Sequence, residues 1–287
     1  MFVIIGTLIV IGAIIGGYLM EHGELMVLVQ PAELVIIGGA ALGTLFIANP
    51  LPIIICVFKG ILAALAGNPY DKKFYLDSLK MLNDLFMTAR KNGMGRLEAD
   101  VEDPGKSAVL GKYPKFLKNH HAVHFVCDTL RMAISGGVPA FDLDQMMEAD
   151  MEVHHHESSL PIAALSTVAD ALPGLGIVAA VLGVVITMGA LGGPPEEIGH
   201  KVAAALVGTF LGILMSYGMI GPVAGAMDGL GHAEVALRRT IVSAIVGFAG
   251  GGSPRAVMDN VRRGCGTAVR PSSKELDEML KEVDAQK

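Results

Sequence analysis

Few side chains in this 287-residue sequence have the types and spacing to do chemistry. Three consecutive histidines, His154, His155 and His156, are the first metal candidates. On a helix, however, neighbouring side chains point about 100° apart, so the three cannot close on one ion. No Ser/His/Asp spacing or phosphate loop accompanies them. The three cysteines, Cys56, Cys127 and Cys265, are odd in number and too scattered to read as a disulfide framework. The expectation is therefore no enzyme, no cofactor and no bound metal. The remaining polar candidates sit on apolar ground. Thr187, Thr209, Ser216 and Tyr217 carry hydroxyls that can each bond to their own helix backbone. Glu33 and Asp170 stand near the ends of apolar stretches, where a charge snorkels toward water. Pro173 and Pro222 either end a helix or kink it.

The elements that carry these residues are four apolar stretches, two early and two late. Met1–Met20 has no charge, Ala32–Phe58 has only Glu33, and Ala171–Ala190 and Val202–Met227 have none. Each is long enough to cross a hydrocarbon core of ~30 Å, which takes ~20 apolar residues in a helix. A mean hydropathy of +0.53 and 36 glycines fit spans in which backbones approach closely. Met1–Met20 lacks the basic head of a signal peptide and is followed almost at once by a second span, so it reads as a retained helix. The net charge of −6 argues against nucleic acid as a partner.

Lys and Arg set the orientation. Glu21–Pro31 holds neither, and Leu191–Lys201 holds only Lys201. Twelve lie between Lys59 and Arg131, and the tail adds Arg238, Arg239, Arg255, Arg262, Arg263 and Arg270. The positive-inside bias then puts the middle, the tail and both termini in the cytoplasm. The expected fold is all-α: a polytopic membrane protein with four transmembrane helices and a helical cytoplasmic domain. Its parts are 1–58 (two spans), 59–168 (cytoplasmic helices), 169–227 (two spans) and 228–287 (cytoplasmic tail).

Within the middle, Tyr75–Asn92, His120–Ser135 and Phe141–Ser158 have helical apolar periodicity. Asn92-Gly93 stops the first run, Gly136-Gly137 the second, and Glu102–Gly105 forms a turn. Arg90 and Glu98 flank the Gly93 turn as solvent-facing charges. Lys274–Glu282 reads as a short exposed helix. In the late spans Gly174, Gly176, Gly183, Gly208 and Gly212 make small-residue faces for close helix packing. No ionisable group stands in the centre of any span, whereas a chain that moved ions alone would ordinarily show one.

Several blocks together resemble the MotA family of flagellar motor stator proteins. They are Gln30–Ile37, the Gly93-Met94 turn before Leu97-Glu98, Asp128–Gly136, Pro173–Gly183 and Val207–Leu214, and the resemblance covers nearly the whole chain. It implies a stator subunit in the cell inner membrane, several copies around a MotB dimer, with MotB supplying the proton-binding aspartate. It also implies roles by position. Arg90 and Glu98 match charges that face the rotor protein FliG. Pro173 and Pro222 match prolines that relay protonation of the partner to the cytoplasmic domain. Thr209 matches a hydroxyl on the ion path, and Ala180 its apolar neighbour in proton-driven members, where sodium-driven members tend to carry a hydroxyl. The His154–His156 run has no counterpart role. The alternative is an energising subunit of the ExbB or TolQ kind, which shares the late-span motif but has three spans and another partner.

Overall fold

A computed structural model describes residues 2–136, 138–189, 192 and 194–285. Gly137, Ala190 and Leu191, which close expected elements, lie outside the described residues. Among those described there is no strand, and four helical stretches are long and apolar enough to cross a membrane. The chain divides into two units, 1–67 with 157–230, and 68–156 with 231–287.

The first unit opens with α1 (Phe2–Met20), on which no residue is buried. A short α2 (Leu25–Leu28) leads to α3 (Pro31–Ala48), where Pro31 fits the first turn because its missing N–H has no intrahelical partner there. The apolar stretch read as one span over Ala32–Phe58 is broken. Asn49, ahead of Pro50, is pushed into extended backbone, and a separate α4 (Leu51–Ala66) begins beyond it. Leu45, Ile54, Val57 and Ala64 pack with Ala164, Leu165, Ala224 and Met227. Ile37, Ala41, Leu172 and Ala179 form a second cluster.

The other unit begins with α5 (Lys72–Asn92), capped by the Asp71 carboxylate, which accepts from the Phe74 amide at 2.7 Å. It stops at Gly93, whose φ of +86° suits a residue without Cβ. Next come α6 (Gly95–Glu102), α7 (Pro114–Leu117) and α8 (His120–Ile134). The third expected run does not end near Ser158. It is the start of α9 (Ala140–Met188), a continuous helix with Pro161 and Pro173 inside it. From residue 157 the chain is back in the first unit, which α10 (Pro195–Ile213), a π-helical segment (Leu214–Ile220) and the start of α11 (Gly221–Ala249) complete. Finally come α12 (Pro254–Gly264) and α13 (Ser273–Ala285).

The core of the other unit gathers Leu79, Leu82, Phe86, Leu97, Phe116, Leu130, Ile241, Ile245 and Met258. The rings of Phe86 and Phe248 stack with centroids 4.3 Å apart. The tail helix departs from expectation: Leu276, Met279 and Leu280 of α13 are buried in this core, and Lys72 and Lys80 of α5 pair with Glu275 and Glu282 at 2.8 Å each. Tyr113 donates to the buried Asp84 carboxylate at 2.6 Å. Burial, with that carboxylate beside it, pushes the phenol far up, so it stays a neutral donor.

The histidine run also finds its place here. His154 Nε2 lies 3.3 Å from Glu234 Oε1, and Arg238 donates to the same oxygen while stacking over Phe125, 4.9 Å from its centroid. The His155 ring is 5.9 Å from that of His232. Among the described residues, no group of three or more His, Cys, Asp or Glu is arranged to hold a metal ion.

Candidate functional site

In the first unit α9 and α10 meet through their smallest residues. Gly176, Ala180 and Gly183 sit on one face of α9, and Ala205, Gly208 and Gly212 on one face of α10. A methyl group on Gly176 would stand 2.9 Å from the Gly208 carbonyl oxygen and 3.1 Å from Gly212 Cα. One on Gly212 would be 2.6 Å from the Leu172 carbonyl oxygen, and one on Gly183 2.8 Å from Ala205 Cβ. These distances leave no room for any side chain, so glycine fixes the separation of the two helices. Gly174, grouped with these in the sequence, has nothing within 4 Å of such a methyl and is not part of the seam.

The two residues expected on the ion path fall at this seam. The Ala180 backbone nitrogen is 3.2 Å from where a Gly208 Cβ would be, and Thr209 follows Gly208 half-buried. Both sit along the approach of α9 to α10, in helices free of charge from Ala171 to Met188 and from Val202 to Ile213. Thr187, by contrast, spends its hydroxyl on the Gly183 carbonyl at 2.8 Å. On the outer faces, Val178, Val181, Val185 and Leu206 are exposed, as is Tyr217 at 71%.

The prolines sit in two different backbone settings. Pro173 lies within α9, one turn before the seam, and its ring removes the N–H that would bond to the Ala169 carbonyl. Pro222 stands just past Gly221, which closes the π segment, and the Gly221 amide donates to the Ser216 carbonyl, five residues back. Widened turns of this kind are rare, and recur at functional places in helices. Sequence periodicity carries no signal for this one, because all seven residues are uncharged and compatible with an ordinary helix.

Arg90 ends α5 and Glu98 lies in the first turn of α6, both exposed on either side of the Gly93 turn. They belong to the other unit and share no geometry with the seam.

One residue differs from its sequence reading. Glu33 does not snorkel: it is 6% exposed, and its Oε2 has no hydrogen-bond partner. That oxygen lies 2.7 Å from where a Gly208 Cβ would be. The signal was in the sequence as a spacing. Glu33 heads the stripe Glu33, Ile37, Ala41, Leu45, each four residues apart and all buried, so it had to share their inward face.

Comparison with known proteins follows this architecture. Residues 4–93 match the family model described as Motility protein A N-terminal, and residues 118–240 the MotA/TolQ/ExbB proton channel family. The chain is 36% identical over 283 residues to Motility protein A of Salmonella typhimurium, covering 99% of this chain and 96% of that protein. Identity to Motility protein A of Escherichia coli is also 36%, over the same shares. The chemotaxis protein LafT of Vibrio parahaemolyticus is 32% identical over 98% of both chains. Among solved structures, C. jejuni MotAB superposes with a TM-score of 0.78 at 18% identity, over 94% of this chain and 98% of that one. The flagellar MotAB stator complex of Bacillus subtilis gives 0.73 at 23% identity, over 96% and 98%. At these identities the two structures speak for the fold.

Proposed function

The chain belongs to the MotA family of flagellar motor stator proteins, and from that premise we propose that it works with a MotB partner as a proton-conducting unit turning ion flow into torque on the rotor. The observation that carries this reading is the pairing of a glycine-built seam with spans that hold no ionisable group at mid-depth. Spans that move protons ordinarily carry a titratable group at mid-depth, and on this reading a partner helix supplies it. The exposed apolar residues of α9 and α10 suit a helix of that partner and further copies of this chain around it. Ala180 gives the path no ligand and Thr209 gives one. Stripping the shell from a sodium ion takes several oxygens at close range, so the arrangement favours protons. Pro173 and Pro222 are the points where the helices can change angle, and would pass the partner's protonation on. Exposed Arg90 and Glu98 offer complementary charges to FliG. The Lys and Arg distribution supports cytoplasmic termini.

An ExbB- or TolQ-like role would fit the match over residues 118–240 alone. The motility-specific match over residues 4–93, and two spans ahead of the polar middle, favour the stator. The test is proton flux. Produced by itself in cells, the chain should leave the cytoplasmic pH steady under an inward proton gradient. Co-production with its one-span partner should acidify the cytoplasm. Substantial flux from the chain alone would sink the reading.

A further inference from the structure

We propose that Glu33, seated against Gly208, is a proton-binding site on this chain, loaded from a pocket at the outer ends of α3 and α10. The proposal rests on the stator reading above, which sets both the ion and the outward direction. Its first support is the seat itself. Glu33 is buried, its Oε2 lacks any donor, and the space it fills exists because Gly208 has no side chain. A carboxylate oxygen sealed among apolar atoms without a donor is strongly disfavoured, so the group is held by taking up a cation, and a proton needs no further ligands. The second support is access. A pocket of ≈ 600 Å³ is lined by Glu24, Gln30, Glu196, Glu197, His200 and Lys201. Gln30 is one turn before Glu33 on the same side of α3. Ala204, also in the pocket lining, is one turn before Gly208 on α10. Two residues of the pocket lining thus stand one helical turn from the two residues that make the buried seat. The third support is reversibility. Glu33 is in the first turn of α3, whose unpaired N–H groups favour negative charge and let the site give up its proton.

The charges around the site are all at the mouth. On α10 they are Glu196, Glu197, His200 and Lys201, with Lys201 paired to Glu197 at 2.9 Å, and Glu24 precedes α2. Between Ala171 and Met188, α9 contributes none. Loading should therefore follow external pH, with the acidic groups concentrating protons at the mouth.

The experiment uses the chain with its partner in a host lacking its own stator. The parent must first restore swimming and proton flux; failure there would remove the stator reading and this site with it. Given that, Glu33→Gln keeps the shape but cannot titrate, and should shift the external pH at which flux is half-maximal. Gly208→Ala, which evicts Oε2, should shift it in the same way. If Glu33→Gln does not reach the membrane, Glu33→Asp, with its carboxyl drawn back from Gly208, serves for the same measurement. A second readout needs no flux. In purified complex whose partner aspartate is changed to asparagine, the infrared C=O stretch of a protonated carboxyl should titrate with pH in the parent and be lost in Glu33→Gln. Unshifted flux in the variants, or no lost band, would make Glu33 only a filler of the seam. A band that answers to sodium at fixed pH would overturn the proton assignment.

Discussion

Gly212 and Gly174 carry the same expectation in the sequence and are structurally opposite. A methyl on Gly212 meets the Leu172 carbonyl oxygen and Gly176 Cα, both backbone atoms that cannot swing aside, whereas one on Gly174 meets nothing. Gly212→Ala should lower the stability of the detergent-solubilised chain by about 1–3 kcal/mol. Gly174→Ala should leave it unchanged or raise it by up to about 1 kcal/mol, through helix propensity. Thermal denaturation of the two variants, side by side, checks both. At the surface the expectation is electrostatic. Reversing Arg90 and Glu98 together should impair swimming more than either reversal alone, at unchanged membrane levels, because exposed pairs are weak singly. A double reversal that swims like the parent would leave these charges as mere solvated surface. Single residues were legible in proportion to their type. Arg90 and Glu98, polar beside a glycine turn, were read correctly as exposed. Glu33 departs from expectation because a charge near the end of a span reads as interfacial, whereas the stripe it heads turns it inward.

Among the elements, α13 shows how a short polar helix can mislead. Its charged majority suggested an exposed tail, yet Leu276, Met279 and Leu280 stand at i, i+3 and i+4 and are buried. The lysines of α5 add a pH dependence. A hydrogen bond from Lys72 and the amide and hydroxyl of Ser272 bring the Glu275 carboxyl from its ordinary 4.5 down to about 2, and Lys80 lowers Glu282. Carboxyls held below their unfolded value stabilise fully above pH 4.5 and lose that contribution as pH falls toward about 2. Hydrogen-exchange protection of the α13 amides, corrected for intrinsic exchange, should therefore fall across that window. The fall should flatten in a Lys72→Met/Lys80→Met variant, and at high salt. A fall of equal steepness in that variant would assign it to other carboxyls. The break at Asn49-Pro50 was open to reading from the proline alone. The merging of the third amphipathic run into α9 was not, because Pro161 signals a stop that the helix does not make.

At the scale of the whole molecule, the distribution of charge was the most legible property. Charge-free stretches and Lys/Arg-rich segments follow from what hydrocarbon tolerates, and so survive without any knowledge of packing. The two-unit division was less so: two of its three boundaries fall inside α9 and α11, where hydropathy changes but the backbone does not. The ion is a property of the assembled complex. If the path is the proposed one, with Thr209 on it and no ligand from Ala180, motility should persist when sodium is replaced by potassium, and collapse on adding a protonophore. Swimming that tracks external sodium and resists the protonophore would overturn this assignment, and move the coupling ligands elsewhere.

The widened turns between α10 and α11 imply an unusual tolerance to losing a residue. Each α-helical residue advances the chain by about 1.5 Å and turns it by about 100°, so a deletion ordinarily rotates everything beyond it out of phase. A π segment carries surplus length, since its bonds reach back five residues rather than four. Removing Tyr217, the exposed member, lets Leu214–Ile220 rewind as ordinary helix with Gly212 still facing Gly176 and Ala224 and Met227 still facing their cluster. Removing exposed Leu206 has no slack to draw on and shifts the phase of every residue after it. The first deletion should keep near-parental membrane levels and melting, and the second should lose both. If the two behave alike, the segment is no phase buffer, and its shape serves Pro222 alone.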